Sequence, residues 1–258
     1  VSRPTLWLVM AAVGLLVYLL IPRPLAELAA DAFTDALAPI RARSLPVRSR
    51  TQTPVVVVSL DDASREASGG QWPPPPSVLA LAITLLEQHR PASIGLEPRV
   101  DRAVPGDPGG VEALAAAIKG SGRVVLRDGI FGSRTLTWHQ GLRSVAAGTG
   151  KVRLENASGP EVRSVSLESD NYLLELIRKH RSGAEARVQG NRVTVGGSLL
   201  RGVSVGLADG ARLLFSPPPQ NEIPQISLAA LLAGKVTPDQ VSGRIVLVGA
   251  TAPDLAMP

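Results

Sequence analysis

Residues 55–60 read VVVVSL and residues 244–249 read RIVLVG. Both are short β-branched and aliphatic runs without polar alternation, the pattern of strands covered on both faces in a parallel sheet. Between them the period changes to helical. Val78, Leu79, Leu81, Ala82, Ile83, Leu85 and Leu86 form one broad face for burial in a helix over residues 78–89, with Ser77 as its N-cap and Pro91 as its stop. Residues 93–97 (SIGLE) read as the second strand and would complete a right-handed βαβ unit with the first. A Gly-, Pro- and Asp-rich loop runs to Gly110, residues 111–119 are helical, and residues 123–126 form a third short strand.

Further along, residues 129–169 carry turn signals and short alternating runs. Residues 171–180 read as a helix with Leu173, Leu174 and Ile177 inward, and residues 186–195 as a hairpin turning at Gly190-Asn191. Residues 211–215 are another strand candidate. Ser227 caps a short helix over residues 228–232, ended by Gly234. These signals predict an α/β fold: a mostly parallel sheet flanked by helices, with hairpin insertions, preceded by one transmembrane helix.

That helix is residues 5–21 (TLWLVMAAVGLLVYLLI), uncharged, with Arg3 before and Pro22-Arg23-Pro24 after. Its length meets the roughly 17 to 25 residues that a membrane span needs, and Trp7 and Tyr18 suit the two interfaces. A cleaved signal peptide is the competing reading, although Ala30-Asp31-Ala32 lies well beyond the apolar run. Arginines on both sides leave orientation open. Leu25, Leu28, Ala29, Ala32, Phe33, Leu37 and Ile40 repeat at helical spacing, so a juxtamembrane helix is expected, packed on the following domain or on a second copy. The expected organisation is an anchor (residues 1–24), a juxtamembrane helix and linker (25–50), and one α/β domain (51–258).

Composition removes several chemistries. The chain has 258 residues and no Cys, which excludes a disulfide framework, a Cys-ligated metal and a thiol nucleophile. Three His, at positions 89, 139 and 180, leave little material for an imidazole metal site. The net charge of +5 invites a nucleic-acid reading, but aromatics are 3% and the arginines are scattered. The tightest cluster, Arg41, Arg43, Arg48 and Arg50, follows the apolar segment, where a lipid surface accounts for it. No nucleic-acid partner is expected. There is no Gly-rich loop ending in Gly-Lys-Ser/Thr and no G-x-S-x-G elbow. An aspartyl-phosphate receiver needs a Lys after a late strand, and none follows residues 244–249. No catalytic residue, metal or cofactor is assigned.

Ligands of open α/β sheets sit outside the carboxyl ends of the strands. Asp61 and Asp62 follow the first strand, Glu97 ends the second, and Gly249-Ala250-Thr251 follow the last apolar run. Converging carboxylates there could hold a divalent cation. The plainer reading has Asp61 bonding nearby N–H groups and Asp62 and Ser64 capping a helix or turn.

The order of segments resembles the CHASE sensory family, type two (cyclases/histidine kinases associated sensory extracellular). The likeness rests on VVVVSLDDAS (residues 55–64), GGQWPPPPSVLALAITLLEQHRPASIGLE (69–97) and ISLAALLAGKVTPDQVSGRIVLVGATAP (226–253). It implies an extracytoplasmic sensor of a bacterial membrane receptor, with one N-terminal span in the cell membrane and the domain outside. It also implies an unknown small-molecule or ion signal and a cytoplasmic cyclase or kinase output, and such a sensor is expected to act as a homodimer. The candidates it carries over for a ligand pocket are Asp61, Asp62, Trp72, Glu97 and Thr251. The chain departs from the family pattern in two stretches. Pro75 and Pro76 stand where an Arg commonly follows the Trp-Pro, and Glu97 stands where Asp is common. The family continues to a last helix and further spans, so the C-terminal part of the domain is expected to be missing. The alternatives are an anchored metal-dependent hydrolase using Asp61, Asp62 and Glu97, or a degenerate structural module.

Overall fold

The computed structural model describes residues 54–131, 134–136, 138–152, 154–155, 164–167, 170–189, 192–199, 203–205, 211–214 and 223–250. By backbone packing the chain divides into two units, Val1–Val47 and Arg48–Pro258, and every described residue belongs to the second. Among the described residues no helix is long and apolar enough to cross a membrane. The predicted span (5–21) and juxtamembrane helix (25–40) lie outside them.

The elements are β1 (Val55–Leu60), α1 (Asp62–Ala67), α2 (Pro76–Gln88), β2 (Ser93–Leu96), α3 (Gly110–Ser121), β3 (Val124–Phe131), β4 (Arg134–Leu136), α4 (Gln140–Val145) and β5 (Gly148–Lys151). They continue with β6 (Leu154–Glu155), β7 (Ser164–Leu167), α5 (Tyr172–His180), β8 (Ala186–Gln189), β9 (Arg192–Val195), β10 (Ser198–Leu199), β11 (Val203–Val205) and β12 (Ala211–Leu214). The last four are β13 (Gln225–Ser227), α6 (Leu228–Leu232), α7 (Pro238–Val241) and β14 (Ile245–Ala250).

Six parallel strands run in the order β13-β1-β14-β2-β3-β5, and β4 pairs antiparallel with the far end of β3. The α/β class is therefore as the sequence predicts. Two small antiparallel sheets complete it, one of β10-β9-β8 and one of β11-β12-β7-β6. β8 and β9 pair antiparallel with Gln189 opposite Arg192, so the hairpin expected over residues 186–195 is present, while its turn pair, Gly190-Asn191, lies outside the described residues.

One expectation of connectivity fails. β1 and β2 are not neighbours, because β14 from the end of the chain lies between them and pairs with both. The simple βαβ unit is instead a crossover that skips one position. Apolar runs announce strands, but which run fills the gap is a nonlocal matter that no local pattern encodes.

Alternation along the strands sorts side chains onto two faces. Val56, Val58, Leu60, Ile94, Leu96, Val124, Leu126, Val246 and Val248 join one core with α2, α3, α4 and α6. Crossovers that step the same way across a sheet put their helices on the same face, which accounts for this layer. The opposite face packs Val125 and Ile245 against Tyr172 and Leu176 of α5. Tyr172 and Leu176 are buried there beside the expected Leu173 and Ile177, while Leu174 is buried as expected. β2 is buried at all four positions, whereas Val55 and Val57 of β1 are only half-buried.

α2 differs from its reading in two ways. It starts at Pro76, with Pro75 as a residue that caps without a side chain, because a proline at the first turn forgoes no internal hydrogen bond. Ser77 is inside the helix, and its N–H donates to Asp107 Oδ2 at 2.9 Å, so a carboxylate from a distant loop takes the capping role. Leu81, counted on the buried face, is 49% exposed.

That contrast gives a first test. Leu86 is fully buried in the main core, and Leu86→Ala removes about 2–5 kcal/mol of stability in urea unfolding. Leu81→Ala changes it by about 0.5 kcal/mol or less. Equal losses at the two positions would contradict this packing.

Candidate functional site

The carboxyl ends of β13, β1, β14, β2 and β3 form one edge of the sheet, and most of the candidates stand along it. Asp61 follows β1 and is the N-cap of α1. Its Oδ1 accepts from Ser64 N–H at 2.9 Å, Ser64 Oγ–H at 2.6 Å and Ser227 Oγ–H at 3.0 Å. Ser227 itself caps α6, its Oγ accepting from Ala229 N–H. One carboxylate thus ties together the starts of two short helices that leave neighbouring strands. Burial pushes the Asp61 carboxyl upward, but the hydrogen bonds from Ser64 and Ser227 outweigh it and hold it below the ordinary range. Asp62 is exposed in the first turn of α1, where an acid complements the helix dipole. Trp72, preceding a cis Pro73, is half-buried against the main core. Thr251 lies outside the described residues.

Glu97 stands one residue past β2, its N–H donating to Val248 O at 3.1 Å. Its Oε2 faces Arg127 Nη1 at 3.2 Å across neighbouring strands, and both side chains are about a third exposed at 32%. Glycine is needed at two places for this. A Cβ at Gly249 would come within 2.7 Å of Glu97 Oε2, and one at Gly95 would overlap the Tyr172 hydroxyl. Tyr172 is 1% exposed, and its hydroxyl has no hydrogen-bond partner among the described residues. Burial, then the charge of Glu97, push its pKa up against the smaller opposite pull of Arg127, so it stays a neutral phenol. A carboxylate, a guanidinium and an unpartnered buried hydroxyl therefore meet on the α5 side of this edge. Such a set can bind a small polar molecule through donors and acceptors of both signs.

On the other face of β3, Asp128 is 2% exposed and pairs with Arg143 at 3.0 Å, while its Oδ1 has no partner among the described residues. Burial raises its pKa against the pull of Arg143 and Lys151. Trp138 Nε1–H donates to Arg127 O at 2.9 Å and fixes the backbone beneath the ion pair.

The carboxylates of the hydrolase alternative do not converge. β14 separates β1 from β2, which puts about 9–10 Å between their backbones. Asp61 is spent on helix caps and Glu97 on Arg127. Among the described residues no group of three or more His, Asp or Glu could hold a metal ion. Arg127 and Tyr172 were missed from the sequence. Arg127 directly follows the apolar run Val124–Leu126, a strand-end charge as readable as Glu97. Tyr172 carries no such signal, since it reads as an ordinary first-turn residue after Asn171.

A parallel sheet flanked by helices, with a polar cluster at its carboxyl edge, puts the domain in the class of open α/β-sheet domains. Residues 8–257 match the family model of the CHASE2 domain, and the chain belongs to that family, whose members are extracytoplasmic sensory domains. No curated protein and no solved structure matches the chain significantly.

The capping role of Asp61 is open to measurement. Asp61→Ala lowers stability at pH 7 by about 0.5–2 kcal/mol. Because the folded pKa is depressed, the wild-type contribution is full above the unfolded value of about 3.9 and is lost as pH falls through the lower folded value. Urea unfolding at pH 7 and pH 3 should show the difference between wild type and Asp61→Ala shrinking at the lower pH; an unchanged difference contradicts a charge-assisted cap.

Proposed function

We propose that this chain is the signal-input part of a bacterial membrane receptor, binding a small polar molecule at the carboxyl edge of the sheet around Glu97 and Arg127. The observation that carries the reading is the CHASE2 match over residues 8–257, which makes the chain a member of a sensory family. The unpartnered Tyr172 hydroxyl beside the Glu97–Arg127 pair supports the location, because a buried polar group without a partner costs free energy that a bound ligand or water can recover. Asp61 keeps its place in the reading as a structural residue that shapes the same edge.

In this reading residues 5–21 anchor the chain in the cell membrane and the α/β domain stands on the extracytoplasmic side. The uncharged run with Trp7 and Tyr18 at its ends supports the anchor. The apolar stripe of residues 25–40 supports pairing of two copies, and a cyclase or kinase receives the signal, as the family resemblance implies. A ligand moves such a system only through different affinities for two arrangements of it.

Thermal unfolding of the full chain against a panel of amino acids, carboxylates, amines, sugars and divalent cations tests the site. A ligand at about 100 times its Kd adds about 2.7 kcal/mol, which raises Tm by about 5–10 °C for a domain of this size. The rise should vanish in Glu97→Gln and Arg127→Gln and persist in Leu81→Ala. A flat panel counts against the sensor reading; a rise that survives both edge variants moves the site elsewhere.

A further inference from the structure

The opposite, amino-terminal edge of the sheet has a different character. Between the starts of β2 and β3 and the end of α5 lies an open cleft of about 500 Å³. Arg90, Arg123, Lys179 and His180 line it, together with Ser182 and backbone from three loops, and no Asp or Glu is among its lining residues. Arg123 is held by Glu87 at 3.3 Å and by Pro91 O. Arg90 and Lys179 have no carboxylate partner among the described residues, and His180 Nδ1 is buried there without a hydrogen-bond partner.

A helix-dipole account explains part of this basic edge. α2, α3 and α5 all end here, each presenting roughly half a negative charge. Three such ends amount to about −1.5, whereas Arg90, Lys179 and the neighbouring Arg181 contribute three full positive charges after Arg123 is cancelled by Glu87. Arg181 donates only to a carbonyl, Val195 O, so its charge is not neutralised there. The cleft therefore keeps a positive surplus, and phosphate-type anions are the ligands that complement it.

The place of the cleft selects the source of the anion. The polypeptide enters the sheet at this same edge: Pro54 O accepts from Ile245 N–H at 2.7 Å, immediately before β1. The register Val55–Ile245, Ile245–Ser93 and Ile94–Val124 puts the starts of β1, β14, β2 and β3 side by side. At about 4.8 Å per strand, the entry point and the cleft are about 10–14 Å apart. Upstream in sequence come Arg50, Arg48, Arg43 and Arg41, and then the apolar residues 5–21.

We infer that the cleft formed by Arg90, Arg123, Lys179 and His180 is a docking surface for anionic lipid headgroups, which seats the amino-terminal edge of the domain on the membrane. This rests on the anchored reading of residues 5–21 and adds to it a second, charge-dependent contact. The carboxyl edge, with the Glu97–Arg127 pair, then faces away from the bilayer.

Because the chain has no Cys, single-cysteine labelling is free of background. Ser182→Cys places a fluorophore at the cleft, and Ser77→Cys places one at the start of α2, on the opposite edge; both sites are exposed. The full chain is mixed or reconstituted with vesicles of phosphatidylcholine alone, or with about a third phosphatidylglycerol, each containing brominated lipid as quencher, and followed by flotation and by quenching. A surface contact driven by charge is strong only with anionic lipid and is screened by salt. The expected result is flotation with both vesicle types, and quenching at Ser182 but not Ser77 only in the anionic ones. That quenching should fall by more than half in 0.5 M salt and in the Arg90→Gln/Lys179→Gln variant, whose Tm serves as its folding control.

Flotation with both vesicle types and no quenching at Ser182 overturns the inference and leaves the anchor standing. Equal quenching in neutral and anionic vesicles also overturns it, since the anchor alone would then hold the edge at the surface. Flotation only with anionic vesicles, with Ser182 quenched, supports the cleft and removes the anchor. No flotation with either removes both. Loss of Ser182 quenching on adding 20 mM inorganic phosphate at constant ionic strength assigns the cleft to a soluble anion and overturns the lipid assignment.

Discussion

The domain depends on the pairing of β14 with two strands at once. Val246, Leu247 and Val248 bond to β1 on one side and to β2 on the other. Without β14 the sheet falls into two parts, β13-β1 and β2-β3-β5, neither with a complete core. Val246 and Val248 fill the main core and Ile245 the second. Every layer therefore waits for a segment that lies nearly 150 residues beyond β2. Closing so long a loop is entropically costly and slow compared with local pairing. In return, β14 is held on both edges and is buried along most of its length.

The same strand organises the candidate site. Gly249 follows the buried run, and its missing side chain makes the room into which the Glu97 carboxylate folds. Gly95 does the same for Tyr172, so the second core and the polar edge are fitted to each other. A polar group in this position has two stable conditions, paired within the protein or paired with something that enters. Glu97 and Arg127 are in the first condition, at 3.2 Å and a third exposed, where an ion pair is worth little in water. Tyr172 is in neither. An edge that holds a weak ion pair over an unpartnered hydroxyl gives up little of its own bonding when a ligand intervenes.

How much of this was legible in the sequence follows from the range of each interaction. Runs such as VVVVSL and SIGLE announce strands because a strand buried by neighbours must be apolar at successive positions, and those elements stand where they were read. The cap at Ser227 and the pairing of residues 186–189 with 192–195 were equally local. What failed was set at a distance. Ser77 looked like a cap, but Asp107, thirty positions away, supplies the carboxylate. Leu81 belongs to the apolar pattern of α2 yet faces outward, since the pattern marks more of the helix than α3 and the sheet can cover. The acids at strand ends were visible, but that Ser227 would meet Asp61 and Arg127 would meet Glu97 was not, and without known partners a cap, an ion pair and a metal ligand look alike.

Asp61 shows why partners decide chemistry at this edge. Its oxygen serves Ser64 and Ser227, which start helices from β1 and β13, two strands that pair with each other. A carboxylate with three donors on one oxygen is held in its charged form, and its charge is matched by two helix starts. It is therefore a poor general acid and a poor ligand for a cation. Glu97, two strands away, has Arg127 as its partner at 3.2 Å, and both side chains are a third exposed. The two acids look interchangeable as carboxylates at strand ends; the structure makes one a fastening and leaves the other with bonding capacity to spare.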